Sequence, residues 1–458
     1  MLTAHCVFPQ VLRQAIALTL VGIGVAAISS VALGQATTDI ISNRAVGGVS
    51  INTDGVLSGA RTDDLGALGK LRGQSLEKIP GDLNAAVEMR KISLRRLEDA
   101  LEDCVKNNKP IPDAIKYLAG LQRIHYIFVY PEQKDIVLVG PGEGWKVDAK
   151  GNVVGVTTGR PVMLLDDLLV ALRTARAAAN GGITCSIDPT KEGMTRMQQQ
   201  LPALTQSGDP QTVASGIESA LGMQRISVTG VPETSHFARV LVAADYRMKR
   251  IAMNFDASPV HGLPSYLQMV KPGARTVLSP RFWLEPKYEA LLRDGEGLAF
   301  ELRNSGVKAM TEEDHVAASG NVEHSGKAGP AAQKWADLMT EKYAQLAVAD
   351  PIFGQLQNCM ELAVVGALVV KERLAEKAGH SMPTLMESPD AKPEALNAPK
   401  QVESKASVLK KGHNWVISAS GGVNINSWGL ADKVQPSDTV APVRAKAVPA
   451  ENTAWCWN

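Results

Sequence analysis

One stretch of the chain, residues 123–175, carries its densest apolar periodicity and constrains the fold more than any other. It reads RIHYIFVYPEQKDIVLVGPGEGWKVDAKGNVVGVTTGRPVMLLDDLLVALRTA. Residues 124–130 are almost all apolar, with His125 as the exception, which predicts a strand buried on both faces. A returning strand, a Gly-rich break, a hairpin and a helix capped by Asp166 or Asp167 follow. We therefore expect the rest of the protein to pack on this stretch.

Helix and strand patterns alternate along the chain, which predicts an α+β protein with mixed sheets and interleaved helices. Ser93 opens one helix. Residues 281–310 predict an antiparallel meander with its first turn at Glu285-Pro286, and two long helices beyond residue 330 predict a helical hairpin. Three Asp-Pro pairs predict helix starts, because Asp caps free N–H groups and Pro fits the first turn: Asp188-Pro189, Asp209-Pro210 and Asp350-Pro351.

The length of 458 residues suggests two or three hydrophobic cores, and 45% hydrophobic residues are enough to build them. Polar residues 311–329 predict a loop. Changes in composition predict the boundaries: a signal peptide at 1–36, an N-terminal extension with a short β element at 37–87, a first α/β core at 88–206, a second core with the meander and the helical hairpin at 207–380, a disordered linker at 381–411, a small β-hairpin at 412–431 and a disordered tail at 432–458.

Two short segments, GGVSINTDGV (47–56) and GGVNINSWGL (421–430), resemble each other across most of the chain. One interpretation is that they are two copies of a small β element that pair and bring the tail back to the N-terminal region. The other, which we favour, is that both use the same turn chemistry independently.

The N-terminal segment predicts export. Residues 15–33, AIALTLVGIGVAAISSVAL, are almost all apolar or small and follow the single charge of Arg13. The small residues behind them predict signal-peptidase cleavage after Gly34 or Ala36. An uncleaved membrane anchor is the alternative, since a run of about 19 apolar residues can span a bilayer. We expect a periplasmic, cell-surface or extracellular protein with no transmembrane span after cleavage.

Charge and aromatic content narrow the classes of partner. Removal of Arg13 lowers the 48 Lys and Arg to 47, against 47 Asp and Glu, so the cleaved chain is formally neutral. A neutral chain has no electrostatic attraction to DNA or anionic lipid, and 5% aromatic residues leave little surface for base stacking. We expect no nucleic-acid partner and no cofactor, and a partner, if present, that is a protein or a cell-envelope component.

Four cysteines remain after the signal peptide removes Cys6: Cys104, Cys185, Cys359 and Cys456. The apolar periodicity turns the first three inward. One interpretation is that they are free buried thiols that act as small hydrophobic side chains. The other is that two of them form a disulfide in an oxidising compartment, with a pairing that the sequence does not define.

Several polar groups suggest chemistry, but each has a simpler explanation. VGPGEGW (139–145) is Gly-rich like a phosphate loop, yet a tight turn explains it better because no helix follows. Asp245 and Lys249 have the spacing of an acid–base pair and also of an ordinary ion pair on a helix surface, which we favour. His125 is typical of a hydrogen-bonded core histidine. Arg160 and the acids Asp166 and Asp167 suggest a pocket, but a helix cap explains the acids.

Acidic and histidine residues also gather between positions 312 and 324, where a metal could bind. Their spacing matches no known ligand pattern, so a solvated loop is favoured: Glu312, Glu313, Asp314, His315 and His324. Ser186 lacks the Gly-x-Ser-x-Gly surroundings of a nucleophile. We therefore assign no catalytic, cofactor-binding or metal-binding residue.

Six longer segments carry a resemblance to a known family: YLAGLQRIHYIFVYPE, DIVLVGPGEGWKVD, GRPVMLLDDLLVALR, CSIDPT, ADYRMKRIAM and QKWADLMTEKY. The chain from about residue 90 to about residue 379 resembles a family of secreted planctomycete proteins of unknown function. The resemblance implies export and a shared fold. It carries no activity, substrate or catalytic residue.

Two functional hypotheses follow. The first is an exported, non-enzymatic binding or structural module, favoured by the lack of a catalytic motif, by the neutral charge and by a long tail that is typical of interaction segments. The second is a hydrolase or transferase with an unfamiliar site that uses Asp245, Lys249 or His125. The second gains if folding brings these groups and Arg160 into one pocket.

Overall fold

The computed structural model describes residues 49–59, 70–71, 73–74, 76–206, 208–271, 277–278, 280–316, 322–324, 326–407, 409–411, 414–416, 420–448 and 454–458. The predicted signal peptide, with both cleavage sites, lies outside the described residues.

Short strands and longer helices alternate along the described chain. The strands are β1 (Val49–Ile51), β2 (Val56–Gly59), β3 (Val87–Ser93), β4 (Tyr126–Tyr130), β5 (Asp135–Gly142), β6 (Trp145–Val147), β7 (Val153–Gly155), β8 (Ile183–Pro189), β9 (Met223–Thr229), β10 (Val277–Leu278), β11 (Pro280–Lys287), β12 (Leu291–Arg293), β13 (Ala299–Glu301), β14 (Gly306–Val316), β15 (Val322–His324), β16 (Gln401–Glu403), β17 (Leu409–Lys411), β18 (Asn414–Val416), β19 (Ser420–Ile425), β20 (Val434–Pro436) and β21 (Cys456–Trp457). The α-helices are α1 (Leu94–Lys106), α2 (Asp113–Lys116), α3 (Leu165–Ala178), α4 (Lys191–Gln206), α5 (Pro210–Leu221), α6 (His236–Ala252), α7 (Tyr266–Met269), α8 (Pro330–Ala349), α9 (Pro351–Lys371), α10 (Leu374–Ala378), α11 (Pro383–Met386), α12 (Ser427–Ala431) and α13 (Val440–Lys446).

Among the described residues, nine strands form the larger sheet, in the order β1-β2-β16-β9-β8-β19-β11-β14-β15. β16 runs parallel to β2 and β19 runs parallel to β11, whereas the other neighbours are antiparallel. Helix α6 packs on β8 and β19, and α8 packs on β14. The sheet is therefore mixed, as its sequence patterns predict.

The predicted central stretch lies in the second sheet, which has seven described strands in the order β20-β12-β13-β4-β5-β3-β21. Alternate residues of β4 and β5 face two different hydrophobic clusters. Ile127 and Leu138 belong to the main core, whereas Phe128 and Val137 pack with Val440 of α13 on the other face. This confirms that the strand is buried on both faces, and its near-continuous apolar sequence follows from that burial.

Helix α9 occupies the centre of the molecule. It packs against α3, α6, α8 and α12, and α8 and α9 form the predicted helical hairpin. α9 is the one helix in the described part of the chain that is long and apolar enough to cross a membrane, and the whole of its most apolar window is buried inside the protein. A helix that is apolar on all sides needs such burial, so its composition fits a core position.

The described residues from 49 onwards belong to one compact unit. Both sheets combine strands from the predicted first core (88–206) and second core (207–380): β8 pairs with β9, and β4 pairs with β13. The two predicted cores are therefore not separate, because strands of one pair with strands of the other in both sheets.

The segments predicted as a disordered linker and a disordered tail contain ordered elements instead. Residues 381–411 include α11 and β16, and Val402 of β16 is buried between β2 and β9. Residues 432–458 include β20, α13 and β21, and β20 and β21 pair at the two edges of the seven-stranded sheet. Composition predicted disorder here because it is poor in large apolar residues, but the strands are held by backbone hydrogen bonds that composition does not report.

The predicted turn at Glu285-Pro286 and the predicted loop at 311–329 are both wrong, because strand pairing extends through them. β11 continues through Glu285-Pro286, which pairs with residues 307 and 308 of β14. β19, the other neighbour, pairs only as far as Leu284, so no ladder bond is lost at Pro286. The predicted loop at 311–329 contains the end of β14 and the strand β15, because β14 follows β11 as far as Glu313.

The two similar Gly-Gly-Val segments both enter the nine-stranded sheet without pairing with each other. β1 pairs with β2, whereas β19 lies between β8 and β11. The predicted Gly-Gly turn of the second segment is wrong, because Gly421 and Gly422 lie inside β19.

Candidate functional site

The polar side chains singled out in the sequence fall into separate groups. His125 and Arg160 surround Glu361 of α9, in a group that we call the Glu361 cluster; its members are Arg123, His125, Arg160, Tyr288, Ser305 and Glu361. Asp245 and Lys249 form a second group beneath the nine-stranded sheet. The two groups share none of the neighbours that act on them.

One face of α9 assembles the Glu361 cluster. Residues 354, 357, 358 and 361 are spaced by three or four positions and therefore lie on one side of the helix. Asn358 Nδ2 donates to the carbonyl of Pro161 at 3.1 Å, and Gln357 Nε2 donates to the carbonyl of Ser305 at 3.0 Å. The helix thus ties the loop of Arg160 and the turn of Ser305 to the same face.

Glu361 itself is completely buried and fully occupied. Its carboxylate accepts hydrogen bonds from the Arg123 guanidinium, from the Ile124 backbone N–H at 2.9 Å and from Ser305 Oγ at 3.0 Å. Burial lowers the pKa of Arg123, but the charge and the hydrogen bond of Glu361 outweigh burial and raise the pKa above its usual value. The two charges therefore stay paired and fix the start of β4 to α9.

His125 and Tyr288 border this ion pair. Burial lowers the pKa of His125, which favours the neutral imidazole. The β11–β14 ladder ends at Lys287 and Gly306, so Tyr288 and Ser305 are the residues just beyond its last pair. Burial raises the pKa of Tyr288. The Tyr288 hydroxyl is buried and has no hydrogen-bond partner among the described residues. A buried hydroxyl without a partner costs about 1–3 kcal/mol, so this one is ready to donate.

Arg160 brings a second guanidinium to the cluster. Pro161 beside it packs so closely on α9 that a Cβ on Gly354 would lie 2.7 Å from Pro161 Cδ. Burial lowers the pKa of Arg160, and the charge of Arg123 lowers it further. The Arg160 side chain is partly buried and has no acceptor among the described residues. The negative charge of Glu361 acts in the opposite direction and raises this pKa.

A strained turn leads into the cluster. Leu118, Ala119 and Gly120 have φ values of 44°, 53° and 76° in succession, and all three are buried. A left-handed conformation costs roughly 1–2 kcal/mol for each residue with a Cβ. The turn is held from outside, since Arg90 donates to the carbonyl of Ala119 and the Glu143 backbone N–H donates to the carbonyl of Gly120 at 3.2 Å. Such strain fixes the direction of the chain just before Arg123.

The second group, Asp245 and Lys249, shows that the predicted ion pair on a helix surface is wrong in its location. Asp245 and Lys249 are an i,i+4 pair, but they are buried rather than on the helix surface, with 0% and 9% of each residue exposed. Lys249 Nζ donates to Asp245 Oδ2 at 2.9 Å, to the Ile187 carbonyl at 3.1 Å and to the Gly421 carbonyl at 3.3 Å. Burial raises the pKa of Asp245 to about 6, and Lys249 limits that rise. The pair joins α6 to β8 and β19.

The Gly-rich segment 139–145 is a turn built around Glu143. This carboxylate is buried and accepts from Thr157 N at 2.7 Å, Thr158 N at 2.9 Å and Gln122 Nε2 at 2.8 Å. Burial alone would raise the pKa of Glu143, but the hydrogen bonds from Thr158 and Thr157 lower it to about 2. The Glu143 carboxylate fills this turn, and its negative charge would repel phosphate. The turn therefore has a structural role.

The other polar groups hold helices and strands in place. Asp167 lies in the first turn of α3 and is 3.0 Å from Nδ1 of His236, and Asp166 accepts from the Glu394 backbone N–H at 3.4 Å. The predicted helix cap is therefore wrong, because α3 begins at Leu165 after Leu164, which makes no side-chain capping bond, and both aspartates lie inside the first turn. The backbone of Ser186 lies inside β8, between β9 and β19.

The candidate metal ligands near residue 312 lie on the β14–β15 hairpin, where Asp314 is opposite His324 and His315 is opposite Glu323. Glu312 accepts from the Gly326 backbone N–H at 3.3 Å. Within the residues that the structure describes, no group of three or more His, Cys, Asp or Glu could hold a metal ion.

All four cysteines of the described chain, Cys104, Cys185, Cys359 and Cys456, are free and buried. Burial raises the pKa of the Cys185 and Cys359 thiols well above the usual value, and it raises the pKa of Cys456 to about 12. Protonated, buried thiols are poor nucleophiles, so they act as core residues. The structure thus agrees with the first of the two interpretations.

Sequence reasoning missed Arg123, Tyr288, Ser305 and Glu361. One signal was available for Glu361, which is the only charged residue between Pro351 and Lys371. A lone charge in an apolar helix must find a partner in the core. Tyr288 and Ser305 are joined to it only by the β11–β14 register, which the sequence does not define.

Comparison with known proteins gives one match. Residues 185–266 match the model of a family described as "Protein of unknown function (DUF1598)", so a domain of unknown function is found at these positions. The matched segment runs from β8 to the first residue of α7 and includes Cys185, Asp245 and Lys249, but not the Glu361 cluster. No curated protein and no solved structure matched the chain.

Proposed function

We propose that the protein, whose domain at 185–266 has no known biochemical role, is exported and acts as a non-enzymatic binding or structural module. Its location would be the periplasm, the cell surface or the extracellular space. The apolar run at 15–33 with small residues behind it supports export, as does the resemblance to secreted planctomycete proteins. Buried thiols are compatible with an oxidising compartment because oxidants cannot reach them.

The position of the Asp245–Lys249 pair carries the non-enzymatic part of the proposal. Three oxygens surround the Lys249 amine, and Asp245 is completely buried. A general acid or base must come within hydrogen-bond reach of its substrate, and this pair lies under a sheet. The most obvious acid–base pair in the sequence therefore serves to join a helix to two strands.

Cell fractionation with N-terminal sequencing tests export of the full chain. We expect the protein outside the cytoplasm, with a new N terminus at Gln35 or Thr37. The variant Ile23→Arg puts a charge in the apolar run and should block export, whereas the matched variant Asn43→Arg beyond the cleavage sites should not. A cytoplasmic wild-type protein, or equal export of Ile23→Arg, would contradict the proposal.

A hydrolase or transferase is the second candidate, and the Glu361 cluster is the observation that favours it. A neutral His125 beside two guanidinium groups could act as a base next to a bound anion. A screen of the purified protein against activated esters and phosphoesters tests this. Turnover that His125→Gln removes, and that Arg225→Gln on the exposed face of β9 retains, would replace the non-enzymatic proposal.

A further inference from the structure

The nine-stranded sheet turns one face to the main hydrophobic core and the other face away from it. In the five strands from β9 to β14, alternate residues belong to that core, on which α6 and α8 pack: Cys185, Ile226, Phe282, Ala309 and Val423 are among them. The residues between them, apart from Gly422, are half-buried or exposed and point to the opposite side, because side chains alternate along a strand. We call this side the Trp283 face; its members used below are Ser186, Ser227, Trp283, Glu285, Lys308 and Asn424.

Strand register places the Trp283 indole in one row with small polar side chains. Trp283 of β11 pairs with Gly422 of β19. Gly422 in turn pairs with Ser186 of β8, which pairs with Ser227 of β9. A Cβ on Gly422 would lie 1.8 Å from the Cys185 carbonyl oxygen, so no side chain can stand between Trp283 and Ser186. The row spans three strand spacings, about 14 Å, with an aromatic ring at one end and hydroxyls at the other.

Glu285 fixes the orientation of the indole. Its Oε1 accepts from Trp283 Nε1 at 2.8 Å and from Asn424 Nδ2 at 3.3 Å. Its Oε2 lies 3.2 Å from Lys308 Nζ. The ring edge and the Asn424 amide are therefore held by one carboxylate, and a preorganised site loses little conformational entropy when it binds.

The same row offers hydrogen-bonding groups to a ligand. The hydroxyls of Ser186 and Ser227 have no hydrogen-bond partner among the described residues, and both side chains are half-buried. Asn424 donates one amide hydrogen to Glu285, which leaves its carbonyl oxygen and its second amide hydrogen. Each hydroxyl and the amide can both donate and accept, so they suit a ligand that does the same.

The charges around Trp283 lie in pairs of opposite sign. Besides the Lys308–Glu285 pair, Arg281 Nη1 lies 4.0 Å from Glu312 Oε1, and the Arg281 guanidinium lies 5.8 Å from the centre of the Trp283 ring. Such balanced charge gives no electrostatic attraction to nucleic acid or to another polyanion. A peptide that pairs with a strand does not suit this site either, because each of the five strands already has a neighbour on both sides.

We propose that the Trp283 face binds a neutral oligosaccharide. One pyranose ring stacks on the Trp283 indole, and the following sugar units bond to Asn424, Ser186 and Ser227. The inference rests on the binding role proposed above and adds the class of ligand, and it is independent of export.

The chemistry of a sugar matches both halves of the row. A pyranose has an apolar side made of C–H groups, whose slight positive charge is attracted to the negative face of an aromatic ring. Its hydroxyls donate and accept hydrogen bonds around the rim, as the hydroxyls and the amide of the row require. A length of about 14 Å accommodates more than one sugar unit, so an oligosaccharide should bind more tightly than a monosaccharide.

Titration calorimetry on the full chain tests the proposal with neutral probes: cellotriose, maltotriose, mannotriose and triacetylchitotriose. A sulfated heparin oligosaccharide is the charged comparison. We expect at least one neutral probe to bind, and heparin to bind at least tenfold more weakly than that probe. Trp283→Leu should weaken the neutral probe at least tenfold, because it removes the stacking ring. Trp457→Leu, which changes a half-buried tryptophan of the other sheet, is the matched control and should leave binding unchanged.

Two further variants separate a binding role from a structural one. Trp283→Phe keeps an aromatic ring and should bind the neutral probe more tightly than Trp283→Leu. Ser186→Ala removes one hydroxyl, so binding should weaken several-fold while the unfolding midpoint stays the same. The proposal is overturned if no neutral probe binds, if heparin binds as tightly, or if Trp283→Leu binds like the wild type. An exported protein that fails this titration would retain the function proposed above but lose this ligand class.

Discussion

Two buried carboxylates show how local contacts set opposite proton affinities in one molecule. Asp245 has a raised pKa because burial outweighs its lysine partner, and one of its oxygens has no hydrogen-bond donor among the residues that the structure describes. Glu143 has a lowered pKa because donors from Thr157 and Thr158 outweigh burial. Burial alone therefore does not decide the charge state, and the number of donors does.

Asp245 should make the protein less stable as pH rises from about 4 to about 6. Its raised pKa means that the folded state binds the proton more tightly than the unfolded state, so its contribution is complete below pH 4 and is lost as pH passes about 6. Urea unfolding of the wild type and of Asp245→Asn at several pH values measures it. The wild type should lose about 1–3 kcal/mol relative to the variant over that range, and a constant difference would contradict the assignment.

Glu143 should act in the opposite direction. Its pKa of about 2 means that its contribution is present above pH 4.5, the usual range for a glutamate, and disappears as pH falls towards 2. Glu143→Gln should therefore cost about 2–3 kcal/mol of unfolding free energy at pH 7 and much less near pH 2. Thermal unfolding across this pH range is the measurement, with exposed Glu88→Gln as the control. An equal cost at both ends would show that packing, not charge, matters.

Residue-level patterns in the sequence predict contacts only where the partner is local. Asp209 caps α5 as expected, with its carboxylate 2.8 Å from Thr212 N. Asp350 precedes α9 with the same motif, yet its side chain binds Arg247 at 2.7 Å instead. Asp188-Pro189 ends β8, and helix α4 starts at Lys191. Two of the three motifs therefore start a helix at the proline and the third prediction is wrong, and distant partners decide what the aspartate side chain does.

At the scale of elements, β19 is the strand whose backbone is most tightly enclosed by its neighbours, although the sequence predicts a turn there. A Cβ on Gly421 would lie 1.5 Å from the Phe282 carbonyl oxygen, and one on Gly422 would lie 1.8 Å from the Cys185 carbonyl oxygen. Gly421 also has a φ of 139°. The Gly-Gly pair is therefore required because two neighbouring strands approach its backbone on both sides.

Gly421→Ala should be severely destabilising. The added methyl group collides with backbone rather than with a flexible side chain, so we expect a loss of at least about 3 kcal/mol in unfolding free energy. The matched control is Gly295→Ala in the turn after β12, where nothing lies within 4 Å of the new Cβ and the change should be close to neutral. Chemical denaturation of both variants checks this, and a stable Gly421→Ala would mean that β19 does not lie between β8 and β11.

Elements with a strong apolar pattern are predictable from the sequence, and elements held by backbone pairing are not. β4, β5, α1 and the α8–α9 hairpin follow from periodicity and caps. β16, β20 and β21 have two or three residues each, which is too short for an alternating pattern to be recognised. Their positions depend on which strand edges are free, which is a property of the folded molecule.

At the scale of the whole molecule, α9 connects the sheets and also carries the candidate site. Its apolar sequence predicts a core helix, but the sequence does not say that the helix faces the turns of Arg123, Arg160 and Ser305. These turns lie more than 50 residues away along the chain. The location of the candidate site thus follows from long-range packing. The charged Glu361 in an apolar helix is the one sequence feature that indicates this location.

The late strands have a consequence for how the chain acquires its structure. β19 fills the gap between β8 and β11, and β20 and β21 complete both edges of the other sheet. Neither sheet is whole until residues 420–457 arrive, so pairing spans most of the chain and folding should be slow. We expect pulsed hydrogen exchange during refolding to protect the amides of β19 in the last phase, and early protection of β19 would contradict this order. Until those strands pair, β8 and β11 keep unpaired edges, and an unpaired strand edge is a place where another chain can add a strand.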